Sequence, residues 1–305
     1  MDTDTWVRPP EIYSARINGA CLCGAVRWSY DRSATSMLHC HCSTCRKHHG
    51  TLFATVVSGP LTTFHWRAGT ERISTWQSSE QGRRSFCSRC GSKVPGVNHE
   101  AKHVWMPAGA LEGEFGIRPQ MHLFVGSKAS FHQIHDRLPQ HDTYPPQWDA
   151  RPRETTVRPT VAGTACGSCS CGDMRFELDG RPIRMHHCHC GRCRRARGGA
   201  HATNVIYEIA ALRYTQGESR LVDFDLPGAE FFGTSFCGNC GGAMPRRSPA
   251  RGVVVVPIGS MDSDPGINPL AHQFVASKAA WHEIHDGVPQ FPAAAPGIPA
   301  GATTP

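Results

Sequence analysis

The chain has 305 residues, 39% of them hydrophobic, with a formal net charge of +7 and fifteen cysteines. This length fits two soluble domains of about 150 residues, each long enough to bury a core. No stretch approaches the roughly 20 consecutive apolar residues that a membrane-spanning helix needs, so a membrane location is not expected. The acidic start over residues 1–6 lacks the apolar segment of a secretory signal, and a cytoplasmic location is predicted.

The positive charge comes from arginines spread along the chain. Such spacing favours a solvated basic surface, and attraction for a small anionic substrate is the alternative interpretation. No helix-turn-helix pattern or basic-aromatic strip supports nucleic-acid binding. In a reducing compartment, cysteines in this number indicate metal binding rather than disulfides.

The first half begins with a leader over residues 1–15, predicted to be loosely ordered. A Cys-Leu-Cys-Gly turn over residues 21–24 follows, and its glycine permits the sharp bend that a metal site needs. A second such turn, Cys-Ser-Arg-Cys-Gly, lies at residues 87–91. Alternating or β-branched stretches predict strands at residues 25–30, 53–57, 62–66, 72–77, 104–106 and 121–125.

Between the two turns lies the segment Cys40-His41-Cys42-Ser43-Thr44-Cys45. Three thiols within six residues can converge on one ion from a single tight turn. They cannot all pair as disulfides, because three is an odd number and a bridge across one residue is strained. Three protein ligands with a fourth position left for water or substrate distinguish a catalytic zinc site from a closed structural site.

The same pattern returns 148 positions later, in Cys188-His189-Cys190-Gly191-Arg192-Cys193, and the offset is 150 from Cys87 to Cys237. The sequence therefore predicts a tandem duplication of a mainly β zinc domain. The predicted domains cover residues 16–138 and 161–290. A Pro-rich linker is predicted over 139–160, and a disordered tail over 291–305.

Seven thiols in each half divide into four and three. The sets of four are predicted to form closed structural zinc sites, whose loss would unfold the half. Cys166, whose counterpart is Asn18, is left as a free thiol. The predicted structural ligands are Cys21, Cys23, Cys87 and Cys90 with Cys169, Cys171, Cys237 and Cys240, and the predicted catalytic ligands are Cys40, Cys42 and Cys45 with Cys188, Cys190 and Cys193.

Two alternatives for the triplets stay open on spacing alone. A neighbouring imidazole can close each triplet into a structural site of three cysteines and one histidine, or the thiols can form a reduced cluster without metal. The imidazoles near enough in sequence are His39 and His41 in the first half and His186, His187 and His189 in the second.

The order C-x-C-G, C-H-C-x-x-C-R and F-C-x-x-C-G, found in both halves, resembles the glutathione-dependent formaldehyde-activating enzyme family. That family is also called S-(hydroxymethyl)glutathione synthase-like and includes the relatives of centromere protein V. Gly109–Glu112 with Ser127-Lys128, and Gly259–Asp262 with Ser277-Lys278, extend the resemblance. It implies a β-tent fold, a structural zinc on each set of four thiols and a catalytic zinc on each triplet, four zinc ions in all. Typical members carry one copy, so the duplication is a departure.

The resemblance implies a carbon–sulfur lyase or thiol–aldehyde adduct synthase acting on a thiol such as glutathione and an aldehyde. His41 and His189 are predicted to carry protons or to hydrogen-bond the thiolates, and Arg46 and Arg194 to pair a substrate carboxylate. His135-Asp136 and His285-Asp286 are interpreted as structural links between side chain and backbone. The competing hypothesis is a zinc-stabilised module that binds protein or nucleic acid and catalyses nothing.

Overall fold

The computed structural model describes residues 16–31, 36–80, 82–113, 115–146, 148 and 165–296. The predicted leader over 1–15 lies outside these residues. In the first half the strands are β1 (Ile17–Ala20), β2 (Arg27–Tyr30), β3 (Ser36–Cys40), β4 (Ala54–Pro60), β5 (Phe64–Ala68), β6 (Ile73–Gln77), β7 (Arg83–Cys87), β8 (Gly96–Asn98), β9 (His103–Pro107), β10 (His122–Leu123) and β11 (Gln140–His141), with helix α1 (Ser43–His49) after β3.

The second half repeats this order, which confirms the predicted mainly β tandem architecture. Its strands are β12 (Ala165–Ser168), β13 (Arg175–Leu178), β14 (Arg184–Cys188), β15 (Ala202–Glu208), β16 (Leu212–Gln216), β17 (Leu221–Asp225), β18 (Gly233–Cys237), β19 (Arg246–Ser248), β20 (Val253–Pro257) and β21 (His272–Gln273), with helix α2 (Gly191–Arg197) after β14.

Each half places its triplet at the end of an inner strand of its largest sheet, β3 or β14. The sheets have the orders β11-β10-β3-β4-β9-β8 and β19-β20-β15-β14-β21. β3 pairs antiparallel with β4, and β14 with β15, in matching registers. Since neighbouring side chains of a strand point to opposite faces, Cys40 and Cys188 lie on one face and His39 and His187 on the other.

A short helix follows each triplet where the sequence predicted only a tight turn. Cys42 and Cys190 are the N-caps, and their sulfurs accept from the backbone N–H of Cys45 and Cys193. Both helices have seven residues, too few to show a helical period in the sequence. Each helix ends at a glycine in the left-handed conformation, Gly50 or Gly198.

Gly50 and Gly198 also lie where the halves meet. A β-carbon on Gly50 would come 2.5 Å from the β-carbon of Ala243, and one on Gly198 would come 2.6 Å from that of Pro107. α1 packs on the turn Ile258–Ser260 of the second half, and α2 on the turn Ala108–Ala110 of the first. The two helices therefore join the halves in equivalent ways.

Buried hydrogen bonds also connect the halves. The imidazole of His48 contacts the carbonyl of Cys240 at 3.2 Å, and Thr234 Oγ1 donates to the carbonyl of Cys90 at 2.8 Å. Lys93 Nζ donates to the carbonyls of Gly91 at 2.6 Å and Gly241 at 2.5 Å, which are equivalent positions of the two halves. The cysteine turns of each half are thus bonded to the other half.

The segments predicted as linker and tail begin as parts of the sheets. β11 lies within the predicted linker, and Tyr144 and Trp148 pack against the first triplet. At the equivalent place in the second half, Phe274 N donates to Ala293 O at 2.9 Å, and Ala295 is 4% exposed. These described residues of the predicted linker and tail contact the sheets, and positions 149–164 and 297–305 lie outside the described part of the chain.

Within the described residues no helix is long and apolar enough to cross a bilayer.

Candidate metal centres and neighbouring cavities

Two clusters of four thiols form where distant turns of each half meet. Their ligand atoms lie within 4.8 Å of one another in each cluster. The C-x-C turn supplies two sulfurs and the C-x-x-C turn, more than 60 residues later, supplies the others. All fifteen cysteines of the chain are free thiols. The clusters are the predicted sets Cys21, Cys23, Cys87 and Cys90, and Cys169, Cys171, Cys237 and Cys240.

The spacing of these sulfurs fits zinc. Tetrahedral coordination with a Zn–S distance of about 2.3 Å implies sulfur–sulfur separations of about 3.8 Å. The separation is 3.8 Å between Cys23 and Cys87 and 3.9 Å between Cys171 and Cys237, and it is shorter, 3.4 and 3.3 Å, between the two sulfurs of each C-x-C turn. The residues at both positions therefore have the number, donor type and spacing of a closed tetrahedral shell.

The triplets form tighter, local clusters. The sulfurs of Cys40, Cys42 and Cys45, and likewise those of the second triplet, lie within 4.8 Å of one another. Among the described residues, no further thiol, imidazole or carboxylate joins either cluster within that distance. Three soft sulfur donors on one side of a common centre fit a zinc ion that keeps a position for an exogenous ligand.

Hydrogen bonds among these thiols favour a thiolate in each triplet. Donation from Cys40 and Cys42 holds the pKa of Cys45 well below its usual value. In the second half, donation from Cys188 and Cys193 lowers the pKa of Cys190 to about 3. The pKa of the other two thiols is raised in each triplet, to about 11 for Cys42, so these hydrogen bonds favour one thiolate per triplet, and the thiolate is the form that binds metal.

The imidazoles considered as a fourth ligand have other partners or positions. His39 Nδ1 lies 3.0 Å from Thr55 Oγ1, and His187 Nδ1 lies 2.8 Å from Thr203 Oγ1. His186 lies on the thiol face of β14 but is not within the second cluster.

His41 and His189 take part in a chain of groups on the face opposite the thiols. His41 Nε2 lies 2.8 Å from His122 Nδ1, and His122 Nε2 lies 3.0 Å from both carboxylate oxygens of Asp136. Burial is the main cause that lowers the pKa of His41 to about 2, so its imidazole is neutral. Their assignment as proton carriers for the zinc reaction stays a prediction.

The second half repeats this chain. His189 Nε2 lies 2.8 Å from His272 Nδ1, and His272 Nε2 lies 2.9 and 3.1 Å from the oxygens of Asp286. Asp286 Oδ1 also accepts from the backbone N–H of Val288 at 3.1 Å. The link from carboxylate to backbone that the sequence suggested is present, but the same carboxylate also holds a histidine that was not predicted.

Arg46 and Arg194 are tied to backbone carbonyls. Arg46 Nε donates to His41 O at 3.3 Å and its Nη2 to Ser127 O at 3.4 Å, while Arg194 Nε donates to His189 O at 3.3 Å. Neither residue lines the two cavities described below. These contacts already occupy part of each guanidinium. Pairing of the two arginines with a substrate carboxylate stays a prediction.

A cavity of about 1040 Å³ separates the histidine faces of the two halves. His187, His272 and Asp286 lie within 4.8 Å of one another in its wall. Phe53 of the first half stands where the second half has His201. The imidazoles in its lining are His39, His122, His132, His135, His187, His201, His272, His282 and His285.

Sequence reasoning missed His122 and His272. A usable signal was present, because each is followed 14 positions later by an aspartate in both halves, His122 by Asp136 and His272 by Asp286. The pairing of β10 with β3 and of β21 with β14 brings these histidines beside the triplets, and that pairing is not visible in the sequence.

A family model described as glutathione-dependent formaldehyde-activating enzyme matches residues 16–127 and 164–277, well over half of the chain. The chain belongs to this family. It contains two copies of the family domain, as the repeated cysteine patterns predicted.

No curated protein matches the chain. Among solved structures, a Rhodobacter sphaeroides protein from the Northeast Structural Genomics effort is 25% identical. The match covers 34% of this chain and 91% of that one, with a TM-score of 0.27.

Proposed function

We propose that the chain is a zinc-dependent cytoplasmic enzyme that forms or breaks the carbon–sulfur bond of a thiol–aldehyde adduct of the S-hydroxymethylglutathione type. The observation that carries the proposal is the convergence of three thiols without a fourth protein ligand among the described residues. Family membership supports glutathione and formaldehyde as the reactants.

The reaction needs no oxidant. A substrate thiol gives up its proton, its sulfur forms a bond to the carbonyl carbon, and the carbonyl oxygen takes a proton; lysis reverses these steps. Zinc bound to three thiolates supplies a soft Lewis acid that lowers the pKa of an incoming thiol. The chain holds the three sulfurs in place, because the backbone N–H of Cys45 or Cys193 donates to the capping sulfur at 3.4 Å.

The competing hypothesis of a purely binding module needs a closed metal shell at the triplets. The imidazoles that would close it are engaged with threonines or with other histidines, or lie outside the cluster. The triplets therefore favour an enzyme, while the sets of four thiols have the composition of structural sites.

Metal analysis and turnover test this proposal together. We expect four zinc ions per chain, and two in a Cys42→Ser/Cys190→Ser double variant. Exchange NMR on glutathione and formaldehyde would show accelerated adduct formation by the parent and the uncatalysed rate with the double variant. Cys166→Ser serves as the matched control, because Cys166 belongs to none of the four thiol clusters. A folded double variant that keeps parental turnover overturns the catalytic assignment.

A further inference from the structure

A second cavity, of about 420 Å³, lies on the thiol face of the second half's main sheet. Cys188 and Cys193 form part of its wall. Because β14 and β15 pair with His186 opposite Asn204 and Cys188 opposite Ala202, the side chains of Arg184, His186 and Cys188 lie on one face with Asn204. The cavity therefore joins a row of polar groups to the triplet.

Three polar atoms of this lining are buried without a hydrogen-bond partner among the residues that the structure describes. They are Arg184 Nε, His186 Nδ1 and Asn204 Oδ1, and the Asn204 residue is only 8% exposed. Buried polar atoms in folded proteins almost always have partners, so a cluster of such atoms around one cavity indicates a polar ligand. The three atoms include donor and acceptor groups, which suits a ligand with more than one polar group.

The charge of the lining favours an anion. Among the described residues the wall contains four arginines and no acidic side chain. Arg246 is paired with Asp225, whereas Arg184 and Arg251 form no ion pair with any described carboxylate. Guanidinium groups bind carboxylates with two parallel hydrogen bonds, which makes a carboxylate the best-matched anion.

The first half has no charged or imidazole side chain at the equivalent positions. Ser36, Leu38 and Val56 stand where the second half has Arg184, His186 and Asn204. Leu38 and Val56 pack on the hydrophobic cluster that contains the first triplet. The polar row beside the triplet is therefore specific to the second half.

Two larger residues also fill this region of the first half. Tyr144 packs on the hydrophobic cluster that contains the first triplet, with its ring 4.8 Å from that of Phe124, and its counterpart Ala294 lines the second-half cavity. Arg84 takes the place of Thr234 and donates to Cys45 Sγ at 3.5 Å. Two large side chains of the chain itself therefore lie near the first triplet, where the second half has an alanine and a threonine.

We propose that the second triplet is the reactant site of this chain and that it takes a small thiol carrying a carboxylate, held by Arg184 and Arg251 with His186 and Asn204. The first triplet is a packed structural copy. This inference rests on the proposed function for the presence of metal at the triplet, but its test measures binding rather than turnover.

The test uses the full chain loaded with Co²⁺, whose absorption reports a change of ligand at the triplets. The probes are 3-mercaptopropionate and 2-mercaptoethanol, which differ in the carboxylate. We expect 3-mercaptopropionate to alter the spectrum of one cobalt per chain and to bind at least tenfold more tightly than the neutral thiol. Cys190→Ser abolishes this change, whereas Cys42→Ser preserves it.

Arg184→Ser copies the first half and should reduce the tenfold preference to less than threefold, with Ser36→Ala as the matched control that leaves it unchanged. Asn204→Val gives a second variant if the first fails to fold. A response from both cobalt ions, equal affinity for the two thiols, or an unchanged preference in a folded Arg184→Ser protein overturns the inference. Selective binding of 3-mercaptopropionate without turnover on any aldehyde supports this binding site but contradicts the proposed carbon–sulfur reaction.

Discussion

Among the described residues, two ion pairs join the halves at equivalent positions but differ in their exposure to water. Lys47 Nζ lies 2.5 Å from Asp262 Oδ1, with side chains only 9% and 14% exposed. Arg195 Nη2 lies 3.0 Å from Glu112 Oε1, with side chains 36% and 47% exposed. The duplication has kept opposite charges at both places, yet only one pair is shielded, so the two sides of the interface contribute unequally to stability.

The two four-thiol sites should contribute equally to stability. Substituting one of their cysteines should have the largest effect on folding of all the changes considered. Each is bonded to the opposite half, through Cys90 O and Cys240 O. We expect Cys87→Ser and Cys237→Ser each to unfold the whole chain, since binding of a structural zinc contributes ~10 kcal/mol or more to folding. Circular dichroism and zinc content measure this.

Cys166→Ser is the control for that experiment, with four zinc ions and a parental unfolding temperature expected. A Cys237→Ser protein in which the first half stays folded alone would contradict the expected coupling.

The ion pairs themselves give the next largest effect. Lys47→Met leaves the carboxylate of Asp262, only 14% exposed, without its cation and should lower the free energy of unfolding by up to ~3–5 kcal/mol. Arg195→Met, at the exposed equivalent, should change it by less than about 1 kcal/mol. Denaturant titration of both variants measures the difference.

A Lys47→Met/Asp262→Leu double variant should regain most of the loss, because no charge is then left unpaired. Equal destabilisation by Lys47→Met and Arg195→Met would show that burial does not separate the two pairs.

The smallest effect concerns pH. Burial, followed by the charges of His272 and His132, lowers the pKa of His201 to about 3. In the unfolded chain this histidine takes up a proton near pH 6.5, while the folded chain does not, so its contribution to stability falls as the pH drops from 6.5 towards 3. His201→Phe introduces the residue found at the equivalent position 53. Between pH 7 and 5 this variant should lose less stability than the parent, by up to about 2 kcal/mol.

Protonation of the thiolates affects parent and variant alike, so the difference between their unfolding free energies isolates His201. The two proteins should keep a constant difference between pH 7 and 9. An identical acid dependence below pH 6.5 would show that the imidazole becomes protonated in the folded state.

The division of the cysteines and the duplication could be predicted from the sequence, because ligand spacing is local and repeats at a constant offset. Several strand positions also followed from alternating or β-branched residues, as in β2 and β4, whereas β3 was not predicted. The helices α1 and α2 could not be predicted, since seven residues that begin within a cysteine triplet show no apolar period.

The cavities depend on packing that no local pattern reveals. Tyr144 and Ala294 decide how much space lies beside each triplet, and both come from segments whose composition predicted a linker or a tail. Arg184, His186 and Cys188 alternate along one strand, which gave a weak signal for a shared face. Their lack of partners became visible only with the surrounding side chains in place.

Lys93 shows why one polypeptide differs from a pair of identical domains. Its ammonium group reaches the same carbonyl in each copy, that of Gly91 and that of Gly241, so it stands close to the approximate twofold axis. An assembly of two first halves would bring two like charges to that point. Fusion in one chain allows a lysine on one side and Ala243 on the other, and it thereby permits a central contact that a strictly symmetric dimer excludes.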